Sequence, residues 1–444
     1  MQEKTRVIIR RDRRPTIAEK QFSFDVSQVR AEGVLAEYRQ HAWRLFESMP
    51  MPSLDDEAWR RTDLRAMPVE AFRLPSEEDH DLTPIPQEIL HPLVADQHGG
   101  QIVLFPHRVR AEIEPSLQEK GVVFTDLRTA EREYPHLVAR VAGKVVRPDE
   151  GKFAALAAAL AWTGIFLYVP KGVRLERPLH SILWGPGSNL AYISHIMVLV
   201  DEEAEVTYVH EAASPTEAAA SFHAGLVEIV VSAGARLHFV ELQSWGRHVW
   251  NFSHERMQVG RDASVDWIFG AVGSKLTKNF SELDLVGEGA SGRMSGFYFT
   301  DDQQHLDHDT QQNHLAPHTT SDLLFKGALK GKSRSVWQGM IYVAPNAQRA
   351  DGYQANRNLV LSEEARADSI PGLEICANDV RCTHGATVGR LEEAPLFYLL
   401  SRGIPRPEAE RLLVEGFFDP IMQRIPFDGV RERFQQAIEE KLSQ

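Results

Sequence analysis

Between about residue 165 and residue 391, apolar and polar positions alternate in short runs of β-branched and aromatic residues, and helical periodicity nearly vanishes. Alternation sends successive side chains to opposite faces, so each run predicts a strand. A phrase recurs between the runs: a small or acidic turn, then Ala or Ser, then a new alternating segment. It appears as Glu202-Glu203-Ala204-Glu205-Val206, Ala233-Gly234-Ala235-Arg236-Leu237 and Arg261-Asp262-Ala263-Ser264-Val265, and again around Ala290, Ser333 and Ala365. These six markers stand 31, 28, 27, 43 and 32 residues apart. A loose repeat of short strands predicts stacked rungs, as in a β-helix, because a single rung cannot bury its apolar face. The uneven spacing leaves a β-sandwich with irregular loops open.

The flanks have a different texture. Residues 1–160 read as a helix-rich α/β region. Val29 to Ser48 carries Leu35, Tyr38, Trp43 and Phe46 among its larger apolar residues, at helical spacing, while Ile102–Phe105 and Val122–Phe124 read as strands. The uncharged stretch from Phe153 to Val169 falls short of a membrane span. It predicts a buried helix over Phe153–Trp162 and a buried strand over Ile165–Val169. Residues 392–444 predict three helices. The first, Glu392 to Ser401, carries Leu396, Phe397, Leu399 and Leu400 and ends at Gly403. Pro405 and Pro407 open the second, which puts Ala409, Leu412 and Leu413 on one face and closes at Gly416. The third runs roughly from Val430 to Leu442. So short a bundle cannot bury its apolar surface alone, so it is expected to dock on the β body or on a partner.

The chain has 444 residues, of which 43% are hydrophobic and 25% charged, an ordinary globular balance. Its net charge of −13 argues against general binding to nucleic acid or to an anionic membrane. Two cysteines, Cys376 and Cys382, exclude a disulfide framework and suit a reducing, cytoplasmic setting. No apolar leader opens the sequence. Lys4, Arg6, Arg10, Arg11, Arg13 and Arg14 predict a solvated, mobile N-terminal arm.

Two glycine motifs fail on context. Gly287-Glu288-Gly289-Ala290-Ser291-Gly292 spells a dinucleotide fingerprint, but a strand-like run follows where a helix N-terminus is needed. Gly327-Ala328-Leu329-Lys330-Gly331-Lys332-Ser333 is one residue too short for a P-loop. Two other groups bear chemistry. His305, His308, His314 and His318, with Asp307 and Asp309, carry ligand types for zinc or iron, although alternating strands would scatter them as polar ladders. Cys382 and His384 stand two apart and therefore share a strand face. A thiol beside an imidazole suits iron or iron–sulfur ligation, but a cluster needs four ligands, so the rest must come from elsewhere in the chain or from a partner. A buried structural cysteine beside a satisfied histidine, or a nucleophilic cysteine, are the other readings.

The segment Leu373-Glu374-Ile375 through Cys382-Thr383-His384-Gly385-Ala386-Thr387-Val388-Gly389 resembles the signature of the SufB/SufD family, in its SufD branch. This family serves the SUF system of iron–sulfur cluster assembly. Ser401-Arg402-Gly403-Ile404-Pro405, Glu408-Ala409, Leu412-Leu413 and Gly416-Phe417 resemble the family's C-terminal pattern. Gln354-Ala355-Asn356-Arg357-Asn358-Leu359 and Ala316-Pro317-His318-Thr319-Thr320-Ser321-Asp322 add support. Trp59-Arg60-Arg61-Thr62-Asp63-Leu64 matches an N-terminal element loosely, with Arg61 where an aromatic is usual.

The resemblance implies a mainly β fold: a right-handed parallel β-helix over 165–391, between the N-terminal region 1–160 and the C-terminal helices 392–444. It implies a non-enzymatic scaffold that pairs with a SufB-like paralogue and with a SufC-like ABC ATPase, with a homodimer as a further option in isolation. The ATPase would bind the C-terminal helices, where Leu396, Phe397, Leu412, Leu413 and Phe417 are the apolar candidates. A transient iron–sulfur cluster would form at the subunit interface near His384 and Cys382, with no tightly held cofactor in the isolated chain. Cys376 stands where the pattern has an aromatic, so no role is carried onto it. SufB-like chains carry core cysteines, and residues 165 to 375 contain none, which favours SufD. The alternatives are a SufB-like scaffold and a metal-dependent β-helix or cupin-like enzyme using the four clustered histidines.

Overall fold

From Thr163 onward each strand pairs in parallel with the strand two further along the chain, never with its immediate successor. The computed structural model describes residues 20–443 apart from 77, 78, 80–83, 87, 88, 90–97, 107, 426 and 427. The cationic N-terminal arm lies outside the described residues. The pairing winds the chain into a parallel β-solenoid with two sheets, of ten and nine strands among the described residues. The first sheet ends with Ser291–Thr300, Thr320–Leu329, Asp351–Val360 and Arg381–Arg390, and the second with His305–His314, Arg334–Val343 and Arg366–Ile375. At the other end antiparallel strands close both sheets, Val109–Ile113 beside Gly100–Leu104 and Val123–Asp126 beside Thr163–Val169.

The recurring turn phrase is a structural ladder. Backbone N–H groups of Arg236, Ser264, Ser291, Thr320, Asp351 and Arg381 donate to the carbonyls of Ala204, Ala235, Ala263, Ala290, Thr319 and Ala350. The residue before each of those carbonyls is left-handed: Glu203, Gly234, Asp262, Gly289, His318 and Arg349 have φ between 53° and 73°. Ser333 and Ala365 belong to the opposite edge, where Arg334 and Arg366 donate to Gln304 and Ser333. The 43-residue interval is therefore a step from one turn ladder to the other. The first glycine motif falls in such a turn, the second spans the end of strand Thr320–Leu329 and its turn, and they run on into the strands Ser291–Thr300 and Arg334–Val343.

Between the sheets lies a continuous apolar interior that includes Leu167, Val198, Val231, Phe239, Met257, Trp267 and Leu283. The outer faces are covered as well. Helix Lys152–Leu160, buried from Phe153 to Leu160, packs with helix Ala36–Ser48 over Ile193, Ala224 and Phe252 of the second sheet. Its alanines permit that close approach. Strand Ala191–Val200 is consequently buried at all ten positions. The region also contains helices Leu127–Glu133 and Pro135–Val141, too short to show a period in the sequence.

The C-terminal region forms helices Glu393–Ser401, Arg406–Met422 and Asp428–Ser443. Gly416 does not close the second, which runs on to Met422 through Pro420. A helical glycine costs about 1 kcal/mol, whereas the extra turns bury Phe418, Ile421 and Met422 against Val240, Ile268 and Phe297 of the first sheet. Each such side chain contributes about 1.5–3 kcal/mol. Among the described residues no helix is long and apolar enough to cross a membrane.

Candidate functional site at the open end of the solenoid

The solenoid is covered on both outer faces but open at its C-terminal end. Among the described residues, strands Arg366–Ile375 and Arg381–Arg390 each pair with one neighbour only, so their outer edges carry free backbone donors and acceptors. Leu373, Ile375 and Val388 are 37%, 38% and 51% exposed. His384 lies in this last rung. Its column of inward-facing residues runs Leu179, Tyr208, Phe239, Trp267, Met294, Leu323, Gln354, His384. His384 thus points along the core but is exposed, because no further rung covers it.

Cys382 is inward too, at the end of the column Ser321, Gly352, Cys382. The two share a face, as their spacing requires. Cys382 is half-buried, and burial pushes its thiol up against a backbone hydrogen bond from Gly352. Gly352 permits close packing there: a Cβ at that position would crowd its neighbours, 3.2 Å from Cys382 Sγ and 3.1 Å from His314 Nε2. Cys376 is exposed, just past the end of strand Arg366–Ile375 and before the strand that carries Cys382.

The floor beneath His384 is polar, and the chemistry-first reading of the sequence missed it. Gln354, Asn356 and Asn358 alternate inward and are 0%, 0% and 3% exposed. Gln354 Nε2 donates to Gly372 O at 2.8 Å, and Ser369 Oγ donates to Asn356 Oδ1 at 2.7 Å. Both bonds cross from the first sheet to the end strand of the second, so they brace the last rung from within. Three amides at alternate positions of one strand were the available signal.

The four clustered histidines do not converge. His305 faces outward, with Nε2 2.8 Å from Thr62 Oγ1. His308 faces inward between Phe269 and Tyr298. His314 contacts Thr319 and Ser321 at 2.7 and 2.8 Å, and His318 is a left-handed turn residue. Strand alternation turns His305 away from His308 and His314, which share the inward face but stand six positions apart along the strand, and the turn removes His318. Asp307 accepts a hydrogen bond from Thr62 and pairs with buried Lys278 at 3.0 Å, while Asp309 takes Lys278 at 2.9 Å. Among the described residues no group of three or more His, Cys, Asp and Glu is arranged to hold a metal.

Here the Trp59–Thr62 element finds its place. Trp59 packs against Phe153, Phe252 and Phe280, with Lys278 Nζ 5.8 Å from its ring centroid. Thr62 then closes the cluster on His305 and Asp307, so this element fastens the N-terminal region to the solenoid. At the other end, the C-terminal candidates divide. Leu396 is buried, and Leu413 and Phe417 are half-buried. Phe397, Tyr398 and Leu412 are 72%, 54% and 38% exposed, which makes an uncovered apolar surface on the first two helices.

Family comparison agrees with this architecture. Residues 183–417 match the model of the SUF system FeS cluster assembly SufBD core domain, and residues 23–180 match that of the SufBD protein N-terminal region. The chain is 32% identical over 335 residues to the iron-sulfur cluster assembly protein SufB of Bacillus subtilis, which covers 76% of this chain and 71% of that protein. It is 29% identical over 410 residues to an iron-sulfur cluster assembly SufBD family protein of Staphylococcus epidermidis, covering 89% and 86%. A Staphylococcus aureus SufBD family protein is 28% identical over the same length. With the solenoid, its N-terminal cover and its open end each accounted for, the chain belongs to the SufBD family of iron–sulfur cluster assembly proteins.

Proposed function

We propose that the chain is a SufD-type, non-enzymatic scaffold whose open solenoid end pairs with a SufB-like paralogue. A nascent iron–sulfur cluster, the cargo of the assembly, forms across that junction with His384 as this chain's ligand. The observation that carries the reading is the placement of His384: inward in register, yet exposed at an end whose edges and apolar side chains await another chain. An imidazole and a neighbouring thiolate are too few for a closed cluster, and a partner's ligands complete the set. A SufC-like ABC ATPase docks on Phe397, Tyr398 and Leu412.

Support for the SufD type is the lack of any cysteine from residue 165 to 375, which leaves no thiol relay inside the chain. The resemblance to a protein named SufB favours a SufB-like scaffold as the second reading. Co-purification from a native host extract separates them, because a SufB-like chain would bring a SufD-like partner. The site is tested by His384→Ala in the reconstituted complex. Assembly should be intact and cluster formation, followed by visible absorbance, should fall sharply. Wild-type rate and yield would sink the assignment, and so would an unfolded variant. Cys382→Ser should match His384→Ala if the thiol is a ligand and fall short of it if the thiol is only a neighbour.

A further inference from the structure

Two carboxyl groups face each other deep in the solenoid, well away from the open end. Glu241 lies on strand Arg236–Ser244 of the first sheet and Glu255 on strand Val249–Val259 of the second. Both point inward and are 8% and 2% exposed. They border an internal cavity of about 30 Å³, room for a water or two. Glu255 accepts from Asn279 Nδ2 at 3.0 Å and Ser281 Oγ at 3.2 Å, whereas Glu241 Oε2 has no hydrogen-bond partner among the described residues.

Among the described residues no cation offsets the pair. No Lys or Arg lines the cavity. The titratable neighbours are His210 on Glu205–Ala213 and His223 on Ser221–Val231. The inward positions of Ser264–Ala271 and Leu276–Leu285 carry no charge. His223 is held between Ser194 and Asn251 at 2.9 and 2.6 Å, and His210 Nδ1 lies 2.8 Å from Ser181 Oγ. Burial pushes both imidazoles down, to about 4 and about 3, so both are neutral at physiological pH. Two facing carboxylates with no counter-charge are costly to bury, and a proton between them removes most of that cost. Burial pushes both carboxyls up, and the charge of Glu255 pushes Glu241 further.

We propose that Glu241 and Glu255 share one proton at neutral pH and act as a protonation switch inside the solenoid. The acid–carboxylate hydrogen bond draws the two sheets together, and release of the proton to solvent leaves two like charges that let water into the cavity. The folded chain thus holds a proton that unfolded glutamates, titrating near about 4.3, have already released. Stability contributed by the pair is present at low pH and is lost as pH rises through the folded titration.

Infrared difference spectroscopy on the full chain tests this. A protonated-carboxyl carbonyl band should be present at pH 7 and vanish on raising the pH, while deuterium exchange increases in Arg236–Ser244 and Val249–Val259 beyond the intrinsic base-catalysed change. These readouts need no variant. Glu241→Gln, which replaces the acid by a neutral near-isostere, should abolish the band. It should also flatten the alkaline limb of the stability profile, where the wild-type unfolding constant rises up to about tenfold per pH unit. The proposal is overturned if no such band exists at pH 7, or if Glu241→Gln keeps the band and the wild-type pH slope.

Discussion

Glu228 shows how much a single side chain fastens in this fold. It is fully buried on the outer face of the second sheet and accepts N–H groups from Gly143, Val145 and Val146 at 2.8, 2.9 and 3.1 Å. His195 Nε2 completes the set at 2.8 Å. Glu228→Ala would orphan all four and should destabilise the chain by about 3–5 kcal/mol, the scale for breaking a buried charged network. A denaturant midpoint corresponding to under about 1 kcal/mol would show that the loop 143–146 finds other acceptors. Nothing in the sequence marked Glu228, since its three backbone donors lie more than eighty residues away. By contrast, the shared face of Cys382 and His384 was legible, because strand alternation is local. That His384 is uncovered was not legible, because it depends on where the last rung ends.

Among the elements, helix Arg406–Met422 has two faces with separate tasks. Val414, Phe418 and Ile421 bury against the first sheet, while Leu412 is exposed. Phe418→Ala should therefore cost about 3–5 kcal/mol in thermal or chemical unfolding. Gly416→Ala should stabilise by about 0.5–1 kcal/mol, since a Cβ there meets nothing within 4 Å. Phe397→Asp combined with Leu412→Asp should leave the unfolding midpoint nearly unchanged and abolish capture of the ATPase in a binding assay. Unchanged capture would remove that surface from the proposed interface. Deleting 392–444 is a poorer test, because it would strip Val240, Ile268 and Phe297 of their cover. The sequence reading ended this helix at Gly416 from local propensity, and burial of Phe418, Ile421 and Met422 prevails over it.

For the molecule as a whole, buried neutral histidines set the acid limit. Burial holds His210, His254 and His308 down to about 3, and His223, His305 and His314 to about 4. Unfolded histidines titrate near about 6.5. Below that pH the unfolded state binds protons that the native state refuses, so stability is complete above about 6.5 and is lost as pH falls toward 4. Each group contributes up to about 1.4 kcal/mol per pH unit across its window. Circular dichroism against pH should show one cooperative acid transition above pH 4, with uptake of several protons. A chain still native at pH 3 would contradict this. The Glu241–Glu255 pair has the opposite sign, but two carboxyls do not outweigh six imidazoles.

The sequence by itself determined the strand period, the turn phrase between strands and the division into a β body with helical flanks. All three rest on contacts between near neighbours: alternation, turn conformation and helical spacing. Only the tertiary structure decided which ladder a turn joins, as the jump between Ala290 and Ser333 shows. It alone also decided that strand Ala191–Val200 is buried on both faces, because helices cover the outer one. The scattering of His305, His308, His314 and His318, and the exposure of His384, follow from the same cause. In a solenoid each residue's neighbours lie one turn away, about thirty positions along the chain, and that register is set by stacking whole rungs.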